Sequence, residues 1–124
     1  TYSYVRPQET GNKTDVRWMA LSNGKIGLMA IGAPTFDGSV HQYPYEDLDH
    51  VRHGQKHGKL DIKPKDQVDW LIDYKQMGVG GDNSWGARPH KKYTLDPRPY
   101  HYSFILVPFD AKDDLTHLSK LVID

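Results

Sequence analysis

The chain contains no cysteine among its 124 residues. Without cysteine there is no disulfide framework, no thiolate nucleophile and no cysteine-ligated zinc site. No apolar run approaches the roughly 20 residues that a membrane-spanning helix needs. No secretory leader pattern precedes the first strand, and we interpret the start at Thr1 as that of a processed or excised piece. The cellular location, cytoplasmic or periplasmic, therefore stays open.

The chain also lacks net charge, because 16 basic residues balance 16 acidic ones. Proteins whose main partner is a nucleic acid or an anionic membrane need a net basic surface, so neither partner is expected. A chain of this length forms one domain, or part of one, and can bury about two-thirds of its unfolded surface.

Glycine and proline, at 11 and 8 residues, interrupt the chain often enough to favour many short strands over helices. Asn23-Gly24 predicts a type I′ hairpin turn between two alternating segments. The pattern predicts an all-β fold, an antiparallel β-sandwich. Strands are expected at 2–5, 16–21, 26–32, 36–41, 59–62, 68–76, 90–95 and 99–108. A short helix is expected at 44–51, and a polar tail with some helical character after 110.

The three tryptophans have different sequence surroundings. Trp18 and Trp70 lie in strand patterns, which favours packing in a core. Trp85 lies in the glycine-rich segment Gln76–Gly86, which cannot hide a large side chain. An indole at that position either fills a neighbouring core or meets a ligand, for example a sugar whose apolar C–H face packs on the ring.

Three other patterns contain residue types that metal, phosphate or glycosidase sites use. His50, His53 and His57 have a spacing that could hold zinc on a helix, but Gly54 weakens that helix, and exposed histidines are the favoured interpretation. The glycine run at 78–81 lacks the following helix that a phosphate site requires. No two carboxylates are placed by the sequence on either side of a glycosidic bond, as a glycosidase needs.

Three segments together resemble a known family. Residues 4–18 are similar to the start of the last part of the β-galactosidase small-chain domain. Residues 76–85 resemble its M-G-[IV]-G-G-D-[DN]-S-W signature, and residues 99–104 resemble its R-Y-H-Y closing strand. The order is that of the family, and the likeness covers roughly residues 2 to 109. The chain thus looks like the C-terminal portion of a glycoside hydrolase family 2 β-galactosidase.

The resemblance implies half of a galactose-mutarotase-like supersandwich, with residues 1–110 as the C-terminal half of the small-chain domain and 111–124 as a tail of no assigned role. It implies that Trp85 lines the sugar site. Supporting loop residues would be Gly80, Gly81, Asp82, Asn83 and Ser84.

The same resemblance places the catalytic glutamates and the Mg²⁺ and Na⁺ ligands in other domains, so no catalytic residue, metal ligand or cofactor is expected in this chain. The implied partners are those other domains, a galactoside such as lactose, and further copies of the enzyme in a homo-oligomer. Two alternatives stay open: a stand-alone carbohydrate-binding β-sandwich, and a purely structural or assembly domain. The histidine triplet inherits no role.

Overall fold

The computed structural model describes residues 11–44, 63–83 and 85–122. The chain divides into two compact units, one formed by residues 1–12 and 39–71 and the other by residues 13–38 and 72–124. Its elements are the strands β1 (Lys13–Ser22), β2 (Ile26–His41), β3 (Asp69–Asp73) and β4 (Ser103–Asp110), a 3-10 helix (Lys91–Tyr93) and a four-residue helix α1 (Leu115–Leu118).

The four strands form one sheet. Three of them follow the order β1-β2-β3, and β4 pairs with β2 as well. The pairs β1–β2 and β2–β4 are antiparallel. The predicted all-β, antiparallel class is therefore confirmed. In the part of the chain that the structure describes, no helix has the length and apolarity to cross a bilayer.

The hairpin between β1 and β2 is stabilised by the side chain of Asn23. Its Oδ1 accepts hydrogen bonds from the backbone N–H groups of Lys25 and Ile26, both at 3.0 Å. Within this turn, Gly24 is the one residue with a positive φ, at 88°. A type I′ turn needs positive φ at both central residues, so the predicted hairpin is present but the predicted turn type is wrong.

Strand β2 is continuous from Ile26 to His41, where the sequence predicted two strands, at 26–32 and 36–41. The pairing with β1 jumps from Trp18 opposite Ile31 to Val16 opposite Phe36. The β2 residues between those pairs therefore have no β1 partner. This irregularity accommodates Pro34, which has no N–H to donate to a ladder.

The core of the larger unit lies on one face of the sheet. Met29 and Ile31 of β2 and Phe109 of β4 form its buried centre. Partly buried side chains of β1, β4 and α1 pack against them: Ala20, Ile105, Val107, Leu115 and Leu118. Leu106, on the opposite face of β4, is 48% exposed.

In the smaller unit, the described contacts surround the end of β2. The rings of His41 and Tyr43 stack with centroids 5.0 Å apart, and the N–H of Lys65 donates to the carbonyl of Gln42. Burial raises the pKa of the Tyr43 hydroxyl above its usual value. Trp70 of β3 is half-buried, and its indole Nε1 is buried without a hydrogen-bond partner among the described residues.

Two further sequence predictions about this fold are wrong. Residues 90–95 form a 3-10 turn instead of a strand, because Tyr93 N–H donates to the carbonyl of His90 and Thr94 N–H to that of Lys91. These local bonds satisfy backbone groups that a strand would pair with a neighbour. Trp18 is 39% exposed and does not join the core, since β1 lies at the end of the strand order.

Several predicted elements lie outside the described residues. They are the strands at 2–5 and 59–62, most of the helix predicted at 44–51, and the triplet His50, His53 and His57.

Candidate functional site

The candidate site is the loop that follows β3, from Gln76 to His90. Two backbone hydrogen bonds fix its base. The N–H of Gln76 donates to Oδ2 of Asp37 at 2.7 Å, and the N–H of Gly78 donates to the carbonyl of Tyr93 at 2.8 Å. The start of the loop is therefore tied both to β2 and to the segment that follows the loop, which favours one loop shape over many.

The backbone next to Trp85 is held by the side chain of Asn83. Its Oδ1 accepts from the N–H of Trp85 at 2.9 Å and, more weakly, from the N–H of Ala87 at 3.4 Å. The first is the side-chain-to-backbone bond of an Asx turn. Gly86 then takes a φ of 95°, which residues other than glycine rarely adopt. Asn83 and Gly86 thus set the direction in which the chain carries Trp85.

Gly81 is the point at which the two limbs of the loop touch. A Cβ added there would lie 2.3 Å from the carbonyl oxygen of Ala87, closer than atoms can approach. By contrast, a Cβ at Gly80 would meet nothing within 4 Å. The geometry therefore gives Gly81 a definite reason to be glycine and gives Gly80 none. Ser84 lies outside the described residues.

A side-chain bridge joins the same limbs. His90 Nε2 lies 2.7 Å from Oδ1 of Asp82, and both side chains are exposed. Exposed pairs of this kind contribute little to overall stability, about 0–1 kcal/mol. The bridge still restricts the loop locally, because its two ends are eight residues apart in the chain. Sequence reasoning singled out Asp82 but missed His90, whose only signal is its position at the far end of the loop.

Trp85 itself is 92% exposed. It therefore does not fill a core within the part of the chain that the structure describes. A ring exposed to this extent is free to contact a ligand or another protein surface. The described residues hold no group of three His, Cys, Asp or Glu side chains able to bind a metal ion.

These features define a class of protein: an antiparallel β domain that presents a tryptophan from a glycine-framed loop. The family model described as beta galactosidase small chain matches residues 1–106. The chain belongs to the β-galactosidase small-chain family.

Curated relatives agree with that assignment. The chain is 42% identical over 107 residues to a β-galactosidase of Priestia megaterium, a match that covers 85% of this chain and 10% of the relative. It is 35% identical over 109 residues to a β-galactosidase of Alteromonas mediterranea, covering 88% and 9%. For a β-galactosidase of Pseudoalteromonas haloplanktis the identity is 31% over 103 residues, covering 83% and 9%. The chain thus spans about a tenth of the length of these relatives.

Proposed function

We propose that this chain forms one wall of the sugar site of a retaining β-galactosidase of glycoside hydrolase family 2. The observation that carries the proposal is Trp85, which an ordered loop holds 92% exposed. The proposal is supported by the membership of the small-chain family and by relatives that are named β-galactosidases.

The proposed role of Trp85 is to bind the galactosyl group by stacking. One face of a pyranose carries several C–H groups and forms an apolar patch that suits the flat indole. The indole N–H is left to donate a hydrogen bond to a sugar hydroxyl. Gly81, Asp82 and Asn83 act through the loop, by fixing where the ring stands, and contact no substrate in this proposal.

Catalysis is assigned to other domains of the enzyme, which are the proposed partners of this chain. Retaining hydrolysis of a β-galactoside such as lactose uses a nucleophile and an acid/base, two carboxyl groups roughly 5–5.5 Å apart. We assign neither group to this chain, and we place the Mg²⁺ and Na⁺ ligands in the other domains as well. The isolated chain is accordingly proposed to be inactive.

The test is a substitution of Trp85 in a β-galactosidase that carries this segment. Trp85→Ala is expected to raise KM for an aryl β-galactoside by roughly fivefold or more, since aromatic packing contributes on the order of 1 kcal/mol. Trp85→Phe keeps a ring and is expected to recover part of that loss. Steady-state kinetics of both variants supply the measurement, and no turnover is expected from the purified 124-residue chain in the same assay.

Val79→Ala is the matched control, because Val79 is an apolar side chain of the same loop and is 79% exposed. It is expected to leave the kinetic constants unchanged. Unchanged kinetics for Trp85→Ala would remove Trp85 from the sugar site, and turnover by the isolated chain would contradict the assignment of catalysis to other domains.

An assembly role is the second candidate, favoured by apolar side chains that the sheet leaves exposed, among them Leu28 and Leu106. In that case Trp85 fluorescence changes when the chain associates and does not change when galactose or lactose is added. A stand-alone sugar-binding domain gives the reverse: saturable binding in calorimetry, lost in Trp85→Ala.

A further inference from the structure

A second candidate site lies at the base of the Trp85 loop. It is a surface cavity of about 390 Å³, a volume within the range of small-ligand sites. Its walls come from the start of β1, the middle of β2, the segment after β3 and the segment 92–100. Gln76 and Tyr100, which belong to two of the segments that resemble the family, line this cavity, whereas Trp85 does not.

The buried carboxylate of Asp37, 6% exposed, ties three of these walls together. Its Oδ1 accepts from the N–H of Asp15 at 3.2 Å, and its Oδ2 accepts from the N–H of Gln76 at 2.7 Å. One charge-assisted acceptor thus holds backbone from β1 and from the loop base against β2. The cavity is therefore built by long-range contacts and is not a chance gap between loops.

Asp15 lines the cavity in a strained conformation. Its φ is 54°, and it is the only non-glycine residue with positive φ in the part of the chain that the structure describes. Aspartate tolerates this region better than most residues, but the conformation still costs free energy. Strain of this kind persists where surrounding contacts enforce it, and it clusters at functional sites.

Tyrosine rings and cationic side chains form the remaining wall. The rings of Tyr74 and Tyr100 lie 5.1 Å apart. Lys92 Nζ stands 4.6 Å from the centroid of Tyr93, and the guanidinium of Arg98 stands 5.2 Å from that of Tyr100. A hydrogen bond to Tyr100 is the largest cause that raises the pKa of Arg98.

Tyr100 also fixes this wall from within, because its hydroxyl donates to the carbonyl of Asp96 at 2.7 Å. The wall thus combines flat apolar surface with the N–H donors of Lys92 and Arg98. Among the described residues, no carboxylate forms an ion pair with either side chain.

The lining selects among ligand classes. Three carboxylates (Asp15, Asp37 and Asp96) balance three cations (Lys75, Lys92 and Arg98), so the cavity offers no net charge to an anion or a metal ion. It offers donors, acceptors and ring surface together, which is what a molecule with many hydroxyls and an apolar C–H face requires. We propose that this cavity binds a neutral mono- or disaccharide, at a site separate from Trp85.

The first experiment is a titration of the ¹⁵N-labelled chain with galactose, lactose and inorganic phosphate, followed by amide NMR. Galactose or lactose is expected to shift the Asp15 and Gln76 amides with saturation, and phosphate is expected to leave them unmoved. Shifts with phosphate alone, or no shift at these amides with either sugar, would overturn the proposal.

Variants separate this site from the proposed Trp85 site. Asp15→Asn keeps a residue that tolerates positive φ and removes the charge, and Lys92→Met keeps length and removes the donor. Each is expected to weaken sugar binding at the cavity roughly tenfold, as loss of a charged hydrogen bond does. Lys120→Met, outside the cavity, and Trp85→Ala are expected to preserve it.

Different results would overturn the cavity site and the proposed role of Trp85. Loss of all cavity shifts in Trp85→Ala would assign the binding to the loop tryptophan and would overturn the separate site. Unaltered kinetics of Trp85→Ala in the whole enzyme, with the cavity shifts intact, would overturn only the proposed function.

Discussion

Trp85 is held in place by the backbone of its neighbours and not by contacts of its own ring. Asn83 accepts from its N–H, Gly86 supplies a left-handed turn after it, and Gly81 lets the returning limb pass at contact distance. At the scale of single residues, the loop therefore depends on small side chains and one amide. None of these groups is deeply buried, so changes here are expected to alter shape before they alter stability.

Gly81→Ala tests that view. The added Cβ would overlap the backbone carbonyl of Ala87, so the two limbs must separate, at a cost of about 1–3 kcal/mol within the loop. We expect the Trp85 and Ala87 amide resonances to move, and the free energy of unfolding measured in urea to fall by no more than that cost. In the enzyme, KM should rise as in Trp85→Ala.

Gly80→Ala is the control, since its Cβ meets nothing within 4 Å and its φ is not in the left-handed region. Equal effects of the two alanines on the loop resonances would show that the close approach at Gly81 does not set the loop shape.

At the scale of elements, alternation in sequence located most of the sheet. Residues 16–21 and 26–30 carry period-two apolar patterns around Asn23-Gly24, and they form β1, its turn and the first half of β2. Residues 90–95 include the strand-favouring Tyr93 and Thr94, but no strand of the described residues lies beside them, and Lys91–Tyr93 forms a 3-10 helix. Propensity describes a segment, whereas a strand also requires a partner.

The candidate sites likewise have a part that the sequence predicts and a part that it does not. Glycines and the adjacent polar run predicted an exposed Trp85 because those features are local. The bonds from Asp37 to Asp15 and Gln76 join residues 22 and 39 positions apart, and no local pattern announces them. The cavity that they build was therefore beyond sequence reasoning, as was the bridge from Asp82 to His90.

Helix α1 gives the tail a structural task that the sequence did not assign. Asp114 caps it by accepting from the N–H groups of Thr116 and His117, and Leu115 and Leu118 pack against the core of Met29, Ile31 and Phe109. Ala111 N–H also donates to the carbonyl of Lys25 in the hairpin. A four-residue helix cannot persist by itself, so this packing accounts for its presence.

Combined replacement of Leu115 and Leu118 by alanine is expected to lower the free energy of unfolding by about 2–4 kcal/mol, below the range for two fully buried leucines, since both are only partly buried. Urea denaturation measures this loss. Leu121→Ala, at a leucine that is 47% exposed, serves as the control and should change stability little. A double variant as stable as the parent chain would mean that α1 does not support the core.

At the scale of the whole molecule, the sheet face opposite the core decides how the chain behaves in solution. Leu28 lies opposite Pro108, and Ala30 lies opposite Leu106, so these side chains share the face that does not carry Met29 and Ile31. Leu28 is 37% and Leu106 48% exposed. Two exposed leucines on one sheet face favour an interface there.

The isolated chain is therefore expected to self-associate through this face as its concentration rises, since burial of apolar area contributes roughly 25 cal/mol per Å². Sedimentation velocity or light scattering over a concentration series measures the effect, and Leu106→Lys should shift the equilibrium toward monomer. Val122→Lys is the control, because Val122 is apolar and 77% exposed but lies in the tail instead of the sheet. A chain that stays monomeric throughout the series, or that dissociates equally with either lysine, would show that the exposed sheet face is not what drives association.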